Sequence, residues 1–132
     1  MTGLDTNVLV RFLAGDDERQ CEIATAAINN AIRESRVCHI NSIVLCELVW
    51  VLESAYGYCR EEIADVLEKL LAARQFHIGE KDMIYLAMRD YRKGKADFAD
   101  YLIGRMNRTA GCSMTLTFDK TLKEDAHFRL LS

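Results

Sequence analysis

The residues best able to do chemistry in this chain are five acids set in contrasting local contexts. Asp5 and Asp119 are each the first acid after a short apolar, strand-like stretch, TGL and SMTLTF. Ligands of an open parallel sheet sit beyond the carboxyl ends of its strands, so these positions would put two carboxylates on one sheet edge. The same residues also suit a second use. Asp5 with Thr6 and Asn7, and Asp119 with Thr121, carry the oxygens that satisfy free backbone N–H groups at a helix start. Glu47 has Ile43, Val44, Trp50 and Val51 as its helical neighbours, which predicts a charge amid an apolar stripe. A buried carboxylate costs several kcal/mol unless a cation, a donor set or an opening to solvent relieves it. Snorkelling at the edge of the apolar face is the simpler alternative. Asp97 and Asp100 point from one face of a helix start, with Phe98, Leu102 and Met106 placed to pack beneath. Acids there are also favoured by the helix dipole alone.

Taken together, Asp5, Glu47, Asp97 or Asp100, and Asp119 define one chemistry. Two unit charges ~4 Å apart repel by about 4 kcal/mol at an effective dielectric of 20, so clustered carboxylates need a counter-ion. An all-oxygen set without His or Cys selects a hard ion, Mg²⁺ or Mn²⁺, completed by waters and substrate phosphate oxygens. The implied reaction is phosphodiester hydrolysis, with one ion acidifying a water and a second, where bound, steadying the leaving oxygen.

Other chemistries find little support. The five cysteines, Cys21, Cys38, Cys46, Cys59 and Cys112, form no CxxC pair, which fits neither a disulfide framework nor a zinc knuckle and points to a reducing cytoplasm. His39, His77 and His127 lie far apart among apolar neighbours and read as structural residues. There is no GxSxG, and Cys38 beside His39 on a strand would face the opposite way.

The elements that must hold the acids follow from periodicity. TGLD rises into a first strand, and TNVLVRFLAG is helical to Gly15. Asp16 or Asp17 caps a helix to about Ser35 whose buried face is expected to be Cys21, Ile23, Ala24, Ala27, Ile28, Ala31 and Ile32. RVCHI is a second strand. Ser42 is the expected cap of SIVLCELVWVLESAYG, and CREEIADVLEKLLAAR repeats Ile63, Val66, Leu67, Leu70 and Leu71 at helical spacing. FHI is a third strand; two more helices close at Gly94 and Gly111, and SMTLTF is the last strand. Strands alternating with helices predict an α/β fold with a parallel sheet covered by helices on both faces, in a single domain over residues 1–132.

Composition agrees with that reading. At 132 residues, half of them apolar and none proline, the chain can bury roughly two-thirds of its unfolded surface. No apolar run approaches the ~18 residues of a membrane span, and the start carries an acid where a secretion signal carries cations.

Four segments, LDTNVLVR, CELVWVLESAYG, DFADYLIG and TLTFDKTL, resemble in order and across nearly the whole chain the acidic motifs of PIN-domain ribonucleases, and most closely those of VapC toxins. The resemblance implies that Asp5, Glu47, Asp100 and Asp119 form the catalytic metal pocket, with Asp97 an accessory ligand. It implies supporting roles for Thr6, Asn7 and Thr117, the last being the small hydroxyl residue two places before the final acid. It further implies a three-layer α/β/α PIN-like fold with a twisted parallel sheet of four or five strands. A homodimer, a structured RNA substrate such as tRNA or rRNA, and a VapB-type antitoxin partner complete what it implies.

The net charge of −3 is unusual for an RNA binder, but setting aside the four pocket acids leaves +1. Cations cluster near the motifs, at Arg11, Arg92, Lys93, Lys95, Arg105, Arg108, Lys120 and Lys123. Arg11, Arg105 and Lys120 are the expected substrate contacts. The leading expectation is a Mg²⁺- or Mn²⁺-dependent endoribonuclease toxin. The alternative is a catalytically silent PIN fold that only binds RNA or protein. Receiver domains and dehalogenase-type phosphatases need adjacent acids or DxD after the first strand, where this chain has DTN.

Overall fold

The computed structural model describes residues 1–132. Six helices alternate with five short strands, in the α/β order the periodicity predicts. The strands are β1 (Thr2–Gly3), β2 (Cys38–Ile40), β3 (Phe76–Ile78), β4 (Thr115–Thr117) and β5 (Phe128–Leu130). The helices are α1 (Thr6–Leu13), α2 (Glu18–Arg33), α3 (Ser42–Ser54), α4 (Arg60–Ala72), α5 (Lys81–Lys93) and α6 (Phe98–Thr109). Every pairing is parallel, as expected, but the strands form two sheets, β1-β2-β3 and β4-β5. The chain divides correspondingly into two compact units, residues 1–59 with 69–79, and residues 60–68 with 80–132.

In the first unit, β2 presents Cys38 and Ile40 to the core and β3 presents Phe76 and Ile78 beside them. Phe12 of α1 meets Phe76 edge to face, with centroids 5.9 Å apart. Asp17 caps α2 by accepting from the Gln20 N–H at 3.0 Å. Helix α3 is capped by Asn41, not Ser42; its side chain accepts from the Val44 N–H at 2.9 Å, a bond that a residue already inside the first turn cannot make. The expected face of α2 is also narrower than its sequence suggests. Ala24, Ile28 and Ala31 are buried, whereas Ile23, Ala27 and Ile32 face solvent, because the α1–β2 side covers only one stripe of a helix apolar over a wider arc.

In the second unit, α5 and α6 pack tightly, with Tyr91 edge to face on Phe98 and both rings fully buried. Met106, expected beneath α6, is half exposed, while Phe98 and Leu102 are buried. Arg60 pins the turn between these helices. Its guanidinium donates to the carbonyls of Tyr91 and Ala96 and lies 4.0 Å over the Tyr91 ring. Gly94 closes α5 as expected, but with extended backbone; it is needed there because a Cβ would fall 1.8 Å from the Tyr101 hydroxyl. Gly111 closes α6 in the left-handed region, at φ 103°. Strand β5 was not legible in the sequence, where FRL is too short to show a period.

Candidate active site

Asp5 stands at the junction of β1 and α1. Its backbone is extended and its Oδ1 accepts from the Val8 N–H at 3.0 Å, so the carboxylate caps α1 with one oxygen. The cap and the exposed sheet-edge position therefore coexist in one residue. The Thr6 hydroxyl donates to Glu47 Oε1 at 2.9 Å, joining residues 41 apart in sequence. Glu47 is exposed and not set in a buried stripe. Its neighbours Ile43 and Trp50 are themselves 71% and 68% exposed, so the apolar pattern of α3 overstates what is covered. Asn7 and Asp5 border a cavity of about 400 Å³ whose floor includes Val8 and Ala24.

Arg11 is committed elsewhere. It donates to Gln20 at 2.6 Å, to Asp16 at 2.8 Å and to the Tyr56 hydroxyl at 3.2 Å. The Tyr56 hydroxyl in turn donates to Asp16 at 2.7 Å; that bond, with the Arg11 charge, holds the carboxyl below its ordinary value, and the same bond pushes the phenol up against the opposing charge of Arg11. This lock joins α1 to the end of α3.

In the second unit Asp97 and Asp119 both come into electrostatic range of Asp100. Asp97 opens α6, and Asp100 reaches back to accept from the Asp97 N–H at 3.3 Å. Asp100 is half-buried, and burial pushes its carboxyl above the ordinary range. The backbone bond from Asp97 offsets part of that, and the charges of Asp97 and Asp119 add to it. Asp119 lies two residues beyond β4 and accepts from the Thr121 hydroxyl at 2.6 Å and the Thr121 N–H at 2.9 Å, which holds its carboxyl below the ordinary value. The Thr117 hydroxyl accepts from the Asp119 N–H at 3.0 Å, so it fixes the backbone on which that acid stands.

Arg105 is also engaged. Its fork donates to both carboxylate oxygens of Asp90, at 2.8 and 3.0 Å. Sequence reasoning missed Asp90, Asp16 and Tyr56 as partners because none of them is near its arginine on a recognisable motif. Lys120 is exposed. His39 and His77, distant in sequence, meet in register across β2 and β3 with Nδ1 atoms 2.9 Å apart. Burial raises the Cys38 and Cys46 thiols above their ordinary value, which favours the unreactive protonated form.

Within neither unit do three or more His, Cys, Asp or Glu side chains close on one point at metal-ligand range. The donor chemistry nevertheless fits a hard divalent cation. The acids are carboxylates supported by hydroxyls, and Asp100 is disfavoured as an anion by burial and then by the charges of Asp97 and Asp119, which such an ion would offset.

Residues 4–127 match the PIN domain family. The chain is similar to a VapC ribonuclease of Aquifex aeolicus (strain VF5), 29% identical over 121 residues that span 92% of this chain and 89% of that protein. No solved structure matches it.

Proposed function

Because this chain belongs to the PIN domain family, whose fold is the three-layer α/β/α class, we propose that it is a VapC-type endoribonuclease that hydrolyses RNA phosphodiester bonds. The match from residue 4 to 127 includes all five acids, and the VapC relative aligns over most of both chains. The structural observation that supports the reading is the set at the head of α6 and just beyond β4, where the half-buried Asp100 accepts from the Asp97 N–H and lies within electrostatic range of both Asp97 and the Thr121-held Asp119. Burial first, and the neighbouring charges after it, disfavour the ionised Asp100 in the empty protein, a cost that an ion-binding carboxylate set must tolerate.

Asp5, Glu47, Asp100 and Asp119 would hold Mg²⁺ or Mn²⁺, with Asp97 accessory. When bound, that ion supplies Lewis acidity and a water acidic enough to attack phosphorus near neutral pH. The chain's own residues do the positioning. Thr6 orients the Glu47 carboxylate, Thr121 orients that of Asp119, and Thr117 fixes the Asp119 backbone. The 132 residues act as one PIN domain. Its setting in this reading is a homodimer in the cytoplasm, silenced by a VapB-type antitoxin and cutting tRNA or rRNA. No helix is long and apolar enough to cross a membrane.

The absence of a three-ligand cluster within either unit is what favours the second reading, a silent PIN fold that binds RNA or protein. One experiment separates the two. Cleavage of a labelled RNA is measured with Mg²⁺, with Mn²⁺ and with chelator, for wild type and Asp5→Asn. Divalent-dependent cleavage lost in the variant supports the nuclease; RNA binding without cleavage by pure wild type supports the silent module.

A further inference from the structure

A cavity of about 430 Å³ in the second unit is bordered by Lys93 and Lys95 at the end of α5 and by Lys120 and Lys123 around the 3₁₀ turn Lys120–Leu122. No ion pair holds any of these four lysines, whereas Arg11, Arg92 and Arg105 are each spent on acids. Of the acids at the rim, Asp90 is neutralised by the Arg105 fork, which leaves four lysines against the two carboxylates of Glu124 and Asp125 and an excess of positive charge.

The walls of this cavity are fixed before any ligand arrives. Arg60 ties the Tyr91 and Ala96 carbonyls on either side of Lys93 and Lys95. The buried Tyr101 hydroxyl fills the space beside Gly94 and accepts from the Ala96 N–H at 3.3 Å. On the opposite wall, the two bonds from Thr121 to Asp119 set the turn that carries Lys120 and Lys123. The cavity is therefore built onto the same turn as the last acid. Ammonium groups are compact point charges suited to phosphate oxygens, and 430 Å³ lies within the usual range of ligand pockets.

We propose that this lysine cavity is a subsite for a backbone phosphate of the RNA strand, on the Asp119 side of the bond that is cut. The proposal rests on the ribonuclease reading and adds to it which cations hold the substrate: these lysines, not Arg11 or Arg105.

The test is the salt dependence of binding of a fluorescein-labelled single-stranded RNA, in chelator so that no cleavage occurs, to wild type, Lys93→Gln, Lys120→Gln, Lys123→Gln and Lys81→Gln. Each cavity variant is expected to bind more weakly and to lower the slope of log K against log salt, by at most about 0.7, the single-strand value for the one phosphate the cavity holds. Lys81→Gln, outside the cavity, is expected to match wild type. With Mg²⁺ restored, the cavity variants are expected to show a raised KM in larger proportion than any fall in kcat. Unchanged slopes in a protein that still cleaves RNA would overturn the subsite and leave the nuclease standing. Wild type that neither binds nor cleaves RNA would overturn both. Loss of binding to a poly-glutamate probe with RNA binding intact would overturn the subsite in favour of an acidic protein partner.

Discussion

Replacing Thr6 with Val removes a single hydroxyl and preserves shape, which makes it a clean probe of how α1 serves the acids. That hydroxyl donates to Glu47 Oε1 at 2.9 Å. Hydrogen bonds to charged acceptors contribute about 1.5–3 kcal/mol when shielded, but this pair is solvent-accessible, so about 0.5–1.5 kcal/mol is the fitting range. If the bond holds Glu47 ready for a divalent ion, its loss translates to about two- to tenfold weaker ion affinity, at or below the range typical of outer-shell partners. The assay is RNA cleavage rate as a function of Mn²⁺ concentration. Thr6→Val is expected to move the midpoint upward by that factor while cleavage at saturating Mn²⁺ largely recovers. Thr6→Ser, which keeps the donor, should fall near wild type. Global stability should change by less than about 1 kcal/mol, since the bond is not buried. An unshifted midpoint in Thr6→Val, or Ser behaving like Val, would refute the positioning role.

Further outcomes follow from the same structure. Asp5→Asn and Asp119→Asn are each expected to abolish cleavage with little change in melting temperature, since Asn can still cap, whereas Asp5→Ala should also cost about 1 kcal/mol of stability through the lost Val8 cap; calorimetry beside the cleavage assay checks both. Gly104→Ala should destabilise despite its better helix propensity of about 1 kcal/mol, because the new Cβ would lie 2.6 Å from the Phe128 ring and overpacking costs typically 1–3 kcal/mol. Phe128→Leu in that background is expected to recover part of the loss in urea denaturation. The Asp100 carboxyl sits above its ordinary value of 3.8 when folded, so the folded state holds that proton more tightly than the unfolded chain. Its contribution is therefore most favourable below about 3.8 and declines as pH rises through the raised folded value. In chelator, the stability difference between wild type and Asp100→Asn should move against wild type as pH rises through that window; a flat difference across it would contradict the burial argument.

Much of the local structure was legible because its causes are local. Asp17 caps α2 from a position three residues before its N–H partner, and alternation of apolar runs with helical stripes gave the α/β order. Other features were illegible for the opposite reason. Ile23, Ile43, Trp50 and Met106 fit apolar stripes as well as their buried neighbours do, and only the arrangement of covering elements left them at the surface. The partners of Arg11 and Arg105 were likewise beyond reach, because a guanidinium takes whichever carboxylate the fold brings to it.

By itself the sequence determined the element order as far as β4, the parallel α/β class and the five candidate acids, since periodicity, caps and residue chemistry are written within a few residues of each position. Tertiary structure alone decided that Thr6 reaches Glu47, that Asp100 feels Asp119, and that three arginines are spent while four lysines border one cavity without an ion pair. These depend on distances between segments up to 45 residues apart, which chain folding sets and local pattern does not encode.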